Sequence, residues 1–63
     1  MIVIAKDIRI GDRINSDGEQ FHVSHIEKTE GTTTYHFYTY PVNRPRAGTI
    51  IFSRDYDEHV SIN

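Results

Sequence analysis

Nine consecutive residues in the middle of the chain, Thr32 to Tyr40, carry only β-branched, aromatic or imidazole side chains. Residues of these types favour β-strands, and no strong helix former interrupts them. Gly31 precedes the run and Pro41 follows it. Because proline has no N–H to offer a neighbouring strand, we expect the strand to stop at Tyr40. The run therefore predicts the central strand of an all-β fold.

Side chains alternate across a strand, so this segment has two distinct faces. One face carries Tyr35, Phe37 and Thr39, and the other carries Thr34, His36, Tyr38 and Tyr40. Since both faces hold aromatic rings, we expect one to line a core. The second face is then either covered by another element or left exposed as a surface that can bind other molecules.

Turn sequences divide the rest of the chain at a spacing of about 8–12 residues, which is typical of all-β folds. The clearest is Ser16-Asp17-Gly18-Glu19, because Asp-Gly readily adopts a type I′ hairpin turn. We predict five antiparallel strands in meander order, near residues 13–15, 20–27, 32–40, 49–53 and 59–62. The segment around Ile2 and Ile4 alternates like a short further strand, or it runs along an edge.

The alternation along the second predicted strand breaks near its middle. Phe21 and Val23 share one face, and simple continuation would turn Ile26 outward. A bulge near Ser24 and His25 would return Ile26 to the core, at the bend that a small barrel needs. We therefore expect a partly closed small barrel that buries Ile14, Phe21, Val23, Ile26, Phe37, Phe52, Val60 and Ile62.

Length and composition narrow the functional classes. Sixty-three residues make a single domain, residues 1–63, near the size at which one core becomes marginal. The absence of cysteine excludes disulfides and thiolate zinc sites and suits a reducing cytoplasm. No apolar run reaches the length of a signal peptide or membrane span, so we expect a cytoplasmic protein with no membrane partner. The net charge of −2 argues against a protein that binds nucleic acid mainly through nonspecific phosphate contacts.

Three short motifs carry a resemblance to a known fold family: Gly11-Asp12-Arg13-Ile14, Asp17-Gly18-Glu19 and Phe21-x-Val23. Their order resembles the opening hairpin of SH3-like small barrels, including the first domain of elongation factor P. Gly48 to Phe52 and the closing Val60-x-Ile62 resemble the last strands of such a barrel. The chain is also similar to small accessory proteins of actinobacteria and their phages. It lacks the lysine at a hairpin tip of the translation factor, so the resemblance implies the fold and not the activity.

Catalytic and metal chemistry find little support in the residue pattern. The four histidines show no local two-histidine spacing of a metal motif. The carboxylates cluster in turns, which Asp favours for backbone reasons alone, and no serine has a nucleophile-elbow context. We expect no enzyme activity, no cofactor and no metal. The residues weighed and set aside are the histidines His22, His25, His36 and His59, the carboxylates Asp55, Asp57, Glu58, Asp12, Asp17 and Glu19, and the serines Ser24, Ser53 and Ser61.

The sharpest functional feature is the Arg44-Pro45-Arg46 loop that follows the aromatic strand. Proline restricts the loop, and guanidinium groups match carboxylates and phosphates in a bidentate manner. We predict a partner-binding patch of Arg44, Arg46, Tyr38, Tyr40 and His36. The alternative is a solvated connector, with the tyrosines covering the underside of the barrel.

Two partner classes fit this patch, and the strand edges allow a third kind of partner. An acidic or amphipathic protein surface would pair with arginine and bury tyrosine, which are residue types enriched at interface hot spots. A single-stranded nucleic acid would stack bases on tyrosine and place phosphates on arginine. Exposed strand edges would also allow a homodimer or a self-assembling structural subunit. We expect a non-catalytic protein-binding module, phage-encoded or host-interacting, with the other two as alternatives.

Overall fold

The chain folds into six β-strands and two single-turn 3-10 helices in a computed structural model that describes residues 1–63. The strands are β1 (Ile2–Ile4), β2 (Arg13–Ser16), β3 (Glu19–Lys28), β4 (Thr34–Pro41), β5 (Ile50–Asp55) and β6 (His59–Ser61). The 3-10 helices are Ala5–Asp7 and Pro45–Ala47. The all-β prediction is confirmed. The count of five strands is corrected to six, because Ile2–Ile4 pairs with β6 along its length.

The strands form a strongly curled antiparallel sheet that fits a small β-barrel. Strands β2, β3, β4 and β5 make a meander, and β1 pairs with β6. The two parts join where Ile14 bridges Ile62, and the Asn63 N–H donates to the Arg13 carbonyl at 3.0 Å. The continuous order is therefore β1-β6-β2-β3-β4-β5, with β1 and β5 as the two edge strands. The segments that follow β1 and β5 are joined by one hydrogen bond, in which the Lys6 N–H donates to the Tyr56 carbonyl at 3.0 Å.

The β2–β3 hairpin has the turn that Asp-Gly predicts. Asp17 has φ 51° and Gly18 has φ 77°, so both central residues are left-handed, as a type I′ turn requires. Ser16 lies opposite Glu19, which gives the two-residue loop. The turn thereby sets the register that places Ile14 opposite Phe21 in the core.

The bulge predicted in β3 is present between Val23 and His25. Beyond it, His25 lies opposite Tyr38 on the outside, and Ile26 lies opposite Phe37 on the inside. The hydroxyl of Ser24 donates to the Tyr38 carbonyl at 3.1 Å. This carbonyl therefore has a hydrogen-bond partner at the point where the bulge interrupts the β3–β4 ladder. The extra residue therefore returns Ile26 to the core side, where it is partly buried.

Strand β4 begins at Thr34, two residues later than predicted, and ends at Pro41, one residue later than predicted. Pro41 lies opposite Phe21, and its side chain is fully buried. The strand tolerates the proline at its end because the next residue, Val42, donates its N–H to the Gln20 carbonyl at 3.0 Å.

The inner face of β4 is the centre of the core. Phe37 is completely buried, and Phe21 meets Phe52 edge to face at 5.1 Å between ring centroids. Thr39 is also buried there, and its hydroxyl donates to the Ile50 carbonyl at 2.8 Å, so no polar atom loses its partner. The buried apolar residues are Ala5, Ile8, Ile14, Phe21, Val23, Phe37, Val60 and Ile62.

Most of the predicted core is confirmed. Ile26 and Phe52 are partly buried against it rather than fully enclosed. Ala5 and Ile8 were not expected inside. They enter because the first 3-10 helix turns the chain over the sheet, with the Ile8 N–H donating to the Ala5 carbonyl at 3.1 Å.

Candidate functional site

The side chains of β3, β4 and β5 that point away from the core form one surface, which we call the outer face. Strand alternation and the β3 bulge decide its membership. Cross-strand register arranges it in three rows, which are His22–Tyr40, then His25–Tyr38–Ile51, then Glu27–His36–Ser53. Tyr38, Tyr40 and His36 therefore share one surface, as the alternation of β4 predicts.

Two imidazole–tyrosine contacts give the outer face a flat aromatic area. The His22 and Tyr40 rings lie 4.9 Å apart at an interplanar angle of 36°, and those of His25 and Tyr38 lie 5.4 Å apart at 60°. Both tyrosines are half-buried by their neighbours. Ile51 extends the second row and is 51% exposed. Because the rings already brace one another, they lose little rotamer freedom when a partner covers them.

His36 is held in place by two hydroxyl groups. Its Nε2 lies 2.6 Å from the Thr29 Oγ1, and its Nδ1 lies 2.8 Å from the Ser53 Oγ. A neutral imidazole donates through one nitrogen and accepts through the other, so the two hydroxyls satisfy both. His36 thus braces β4 against β5 and against the β3–β4 turn.

The arginine loop lies directly after β4, and its two arginines differ. Arg44 forms an ion pair with Glu19, in which the single nitrogen Nη2 lies 2.7 Å and 2.5 Å from the two carboxylate oxygens. The Arg44 side chain is 59% exposed and that of Glu19 is 24% exposed. Arg46 lies in the second 3-10 helix, is exposed and makes no ion pair.

This arrangement gives the two arginines of the predicted patch different roles. Arg44 ties its loop to the β2–β3 hairpin, and Glu19 offsets its charge. Pro45 opens the short helix, whose Ala47 N–H donates to the Arg44 carbonyl at 2.9 Å, so the loop is stiff. Arg46 is left as the unpaired cation of the loop.

Five outer-face residues were not part of the predicted site, namely His22, His25, Glu27, Ile51 and Ser53. His22 and His25 were weighed only as metal ligands and Ser53 only as a nucleophile, while Glu27 and Ile51 were not assigned to any site. The missing signal is cross-strand register, which depends on the bulge and the hairpin turn together. With the bulge at Ser24, the register places His25 opposite Tyr38.

Other chemical features of the surface are few. No group of three or more histidine, cysteine or carboxylate side chains is placed to hold a metal ion. The surface has no enclosed pocket. Neither helical turn has the length and apolar character needed to cross a membrane. No protein-family model, curated protein or solved structure matches this chain.

Proposed function

We propose that this protein is a non-catalytic binding module that recognises another protein through its outer face. The observation that carries the proposal is the row His25–Tyr38–Ile51 beside the pair His22–Tyr40. Together these side chains offer aromatic and aliphatic contact area on a rigid sheet. Tyrosine supplies a large contact area at a low cost in conformational entropy, and it is enriched at interface hot spots.

The charges of the site favour a protein over a nucleic acid. Arg44 is already paired with Glu19, and Glu27 lies within the outer face, 3.1 Å from His25. The chain as a whole carries a net charge of −2. A phosphate backbone would meet few unpaired cations here, whereas a protein partner needs only one or two, and Arg46 in the loop that follows β4 is unpaired.

The fold supports the same kind of role. A curled six-stranded sheet of this size agrees with an SH3-like barrel, a scaffold that serves many unrelated functions through its surface. The cytoplasmic and phage-encoded setting stays a prediction from the sequence.

One double variant and one matched control test the proposal. Tyr38→Ala with Tyr40→Ala removes the aromatic area, and Tyr56→Ala removes a 41% exposed tyrosine from the β5–β6 turn, outside the face. Each protein is tagged, checked for fold by circular dichroism and used for capture from a host lysate, with captured proteins quantified by mass spectrometry. A protein captured by the parent and by Tyr56→Ala, but at least tenfold less by the double variant, supports the proposal. Equal capture by all three proteins contradicts it.

A second measurement separates the nucleic-acid alternative. Fluorescence anisotropy with single-stranded DNA and RNA oligonucleotides is recorded at low and at moderate salt. Binding that is lost in the double variant and falls steeply with salt would assign the face to nucleic acid instead of protein. We expect no binding to either oligonucleotide at moderate salt.

A further inference from the structure

Strand β5 is an edge of the sheet, and hydrogen bonding shows which of its backbone groups lack a partner. The Tyr56 N–H donates to the Thr33 carbonyl at 2.8 Å, which marks the hydrogen-bonded pairs between β4 and the β5 segment. Because such pairs alternate in an antiparallel ladder, even-numbered β5 residues point their backbone groups at β4. Ile51, Ser53 and Asp55 therefore point theirs away from the sheet.

The far end of this edge is closed by its own chain. The Arg54 Nη1 donates to the Ser53 carbonyl at 2.7 Å. The Asp55 N–H donates to the Glu58 side chain at 2.8 Å, and the Asp55 carbonyl accepts from the Glu58 N–H at 3.1 Å. Charged groups that cover an edge in this way block pairing with another strand. Pairing is possible only from Ser53 back towards Thr49.

The near end of the edge is open and apolar. Neither the N–H nor the carbonyl of Ile51 has a partner, and the Ile51 side chain is 51% exposed. The N–H of Ser53 is likewise unpaired. An extended strand laid along this edge would bond these groups and cover Ile51 at the same time.

We propose that the strand which pairs here is β5 of a second copy, antiparallel and centred on Ile51. In this register the Ile51 residues of the two copies exchange both backbone hydrogen bonds across a two-fold axis. The Ser53 N–H of each copy donates to the Thr49 carbonyl of the other. The contact is self-complementary, as a two-fold interface requires.

The side chains suit this register on both faces of the joined sheet. On the outer face Ile51 meets its own copy, and the row Tyr38–Ile51 continues directly into the equivalent row of the second copy. On the inner face Ile50 lies opposite Phe52 of the second copy, and both are only partly buried in the single chain. Arg54 and Asp55 fall beyond the apolar stretch, so no like charges oppose one another within it.

The other edge strand is less suited to pairing. Strand β1 has only three residues and runs directly into the first 3-10 helix. Met1 and Ile62 exchange reciprocal backbone bonds, at 3.0 Å and 2.8 Å, so the Ile2 N–H points to the free side of β1. This edge therefore supplies a matched control.

The contact between two short strands is small. It falls below the standard interface size of about 1,200–2,000 Å², so we expect a reversible dimer with a dissociation constant on the order of 10–1,000 µM. The inference does not depend on the proposed function. The dimer is measured on the purified protein alone.

Sedimentation velocity over a range of concentrations tests the proposal, with two proline variants. Ile51→Pro removes an outward N–H from β5, and Ile2→Pro removes one from β1; neither N–H takes part in a ladder within the chain. We expect Ile51→Pro to weaken dimerisation at least tenfold, because one hydrogen-bond donor is lost from each copy and the ring obstructs the approach. Ile2→Pro is expected to dimerise like the parent.

Ile51→Lys and amide exchange give independent readouts. Ile51→Lys keeps the backbone donor, places a charge opposite its own copy and is also expected to weaken the dimer at least tenfold. In the parent, the Ile51 amide should exchange more slowly as protein concentration rises, while the Ile2 amide should not change. A parent that stays monomeric at 1 mM, or a dimer weakened by Ile2→Pro and not by Ile51→Pro, would overturn the proposal.

Discussion

Two adjacent residues of β4 provide the sharpest test of the face assignment on which the site depends. Phe37 points into the core and is completely buried, while Tyr38 points out and is half-buried. Truncation of a buried phenylalanine to alanine costs about 3–5 kcal/mol, through lost transfer free energy and the cavity left behind. Tyr38→Ala loses a cross-strand contact with His25 and part of a half-buried ring, worth about 1 kcal/mol. The expected difference between neighbours is therefore about 2–4 kcal/mol.

The size of the domain makes this difference decisive. A 63-residue protein has a total free energy of unfolding of roughly 3–9 kcal/mol. Phe37→Ala should consequently remove much or all of its stability, whereas Tyr38→Ala should leave a cooperative transition. Phe37→Leu, which keeps part of the side-chain volume, gives an intermediate value if Phe37→Ala is unfolded in water.

Urea denaturation followed by far-ultraviolet circular dichroism measures all three variants, because the chain has no tryptophan to report the transition. Midpoints are compared at equal slope, so that the change reports stability and not a different denatured state. A loss from Tyr38→Ala equal to or larger than that from Phe37→Ala would refute the face assignment. The outer-face site would then be part of the core.

Three further predictions use the same denaturation assay. A double-mutant cycle of Glu19→Gln and Arg44→Met should give a coupling of about 0.2–1 kcal/mol that shrinks with salt, since both side chains are partly exposed; zero coupling at low salt would leave Arg44 unanchored. Gly18→Ala should cost about 1–2 kcal/mol because φ is 77° there and a Cβ would touch nothing, so the penalty is conformational; a neutral effect would contradict the turn. Deletion of Ser24 should cost only about 1–2 kcal/mol, because it removes the extra residue of the bulge while His25 and Ile26 keep their faces, and Ser24→Ala should cost under about 1 kcal/mol; a loss from the deletion as large as that from Phe37→Ala would contradict the position of the bulge.

Local sequence chemistry predicts much of this fold correctly. Asp17-Gly18 predicts the type I′ turn because few other dipeptides accept two left-handed residues at low cost. The position of Ile26 predicts the bulge, since an apolar residue on the wrong parity must be moved by one residue to reach the core. Alternation along β4 predicts which aromatic rings share a face. Each inference needs only neighbouring residues.

The predictions that fell short involve contacts between distant segments. Strand β1 exists because Ile2–Ile4 meets β6, nearly the whole chain away, and three alternating residues carry too little local signal to require it. The Arg44–Glu19 pair joins a loop to a hairpin across 25 positions, so the sequence shows an arginine free for a partner where the structure shows an anchor. Ala5 and Ile8 enter the core through a helical turn without apolar periodicity.

The sequence by itself determined five of the six strands, the hairpin turn, the bulge and the two faces of β4, because these follow from backbone preferences and from a side-chain period of two. Tertiary structure decided which outward residues became neighbours, which arginine kept its charge unpaired and which edges of the sheet stayed open. Those outcomes depend on how the sheet curls and on where its ends meet, and side chains far apart in the chain settle that closure jointly.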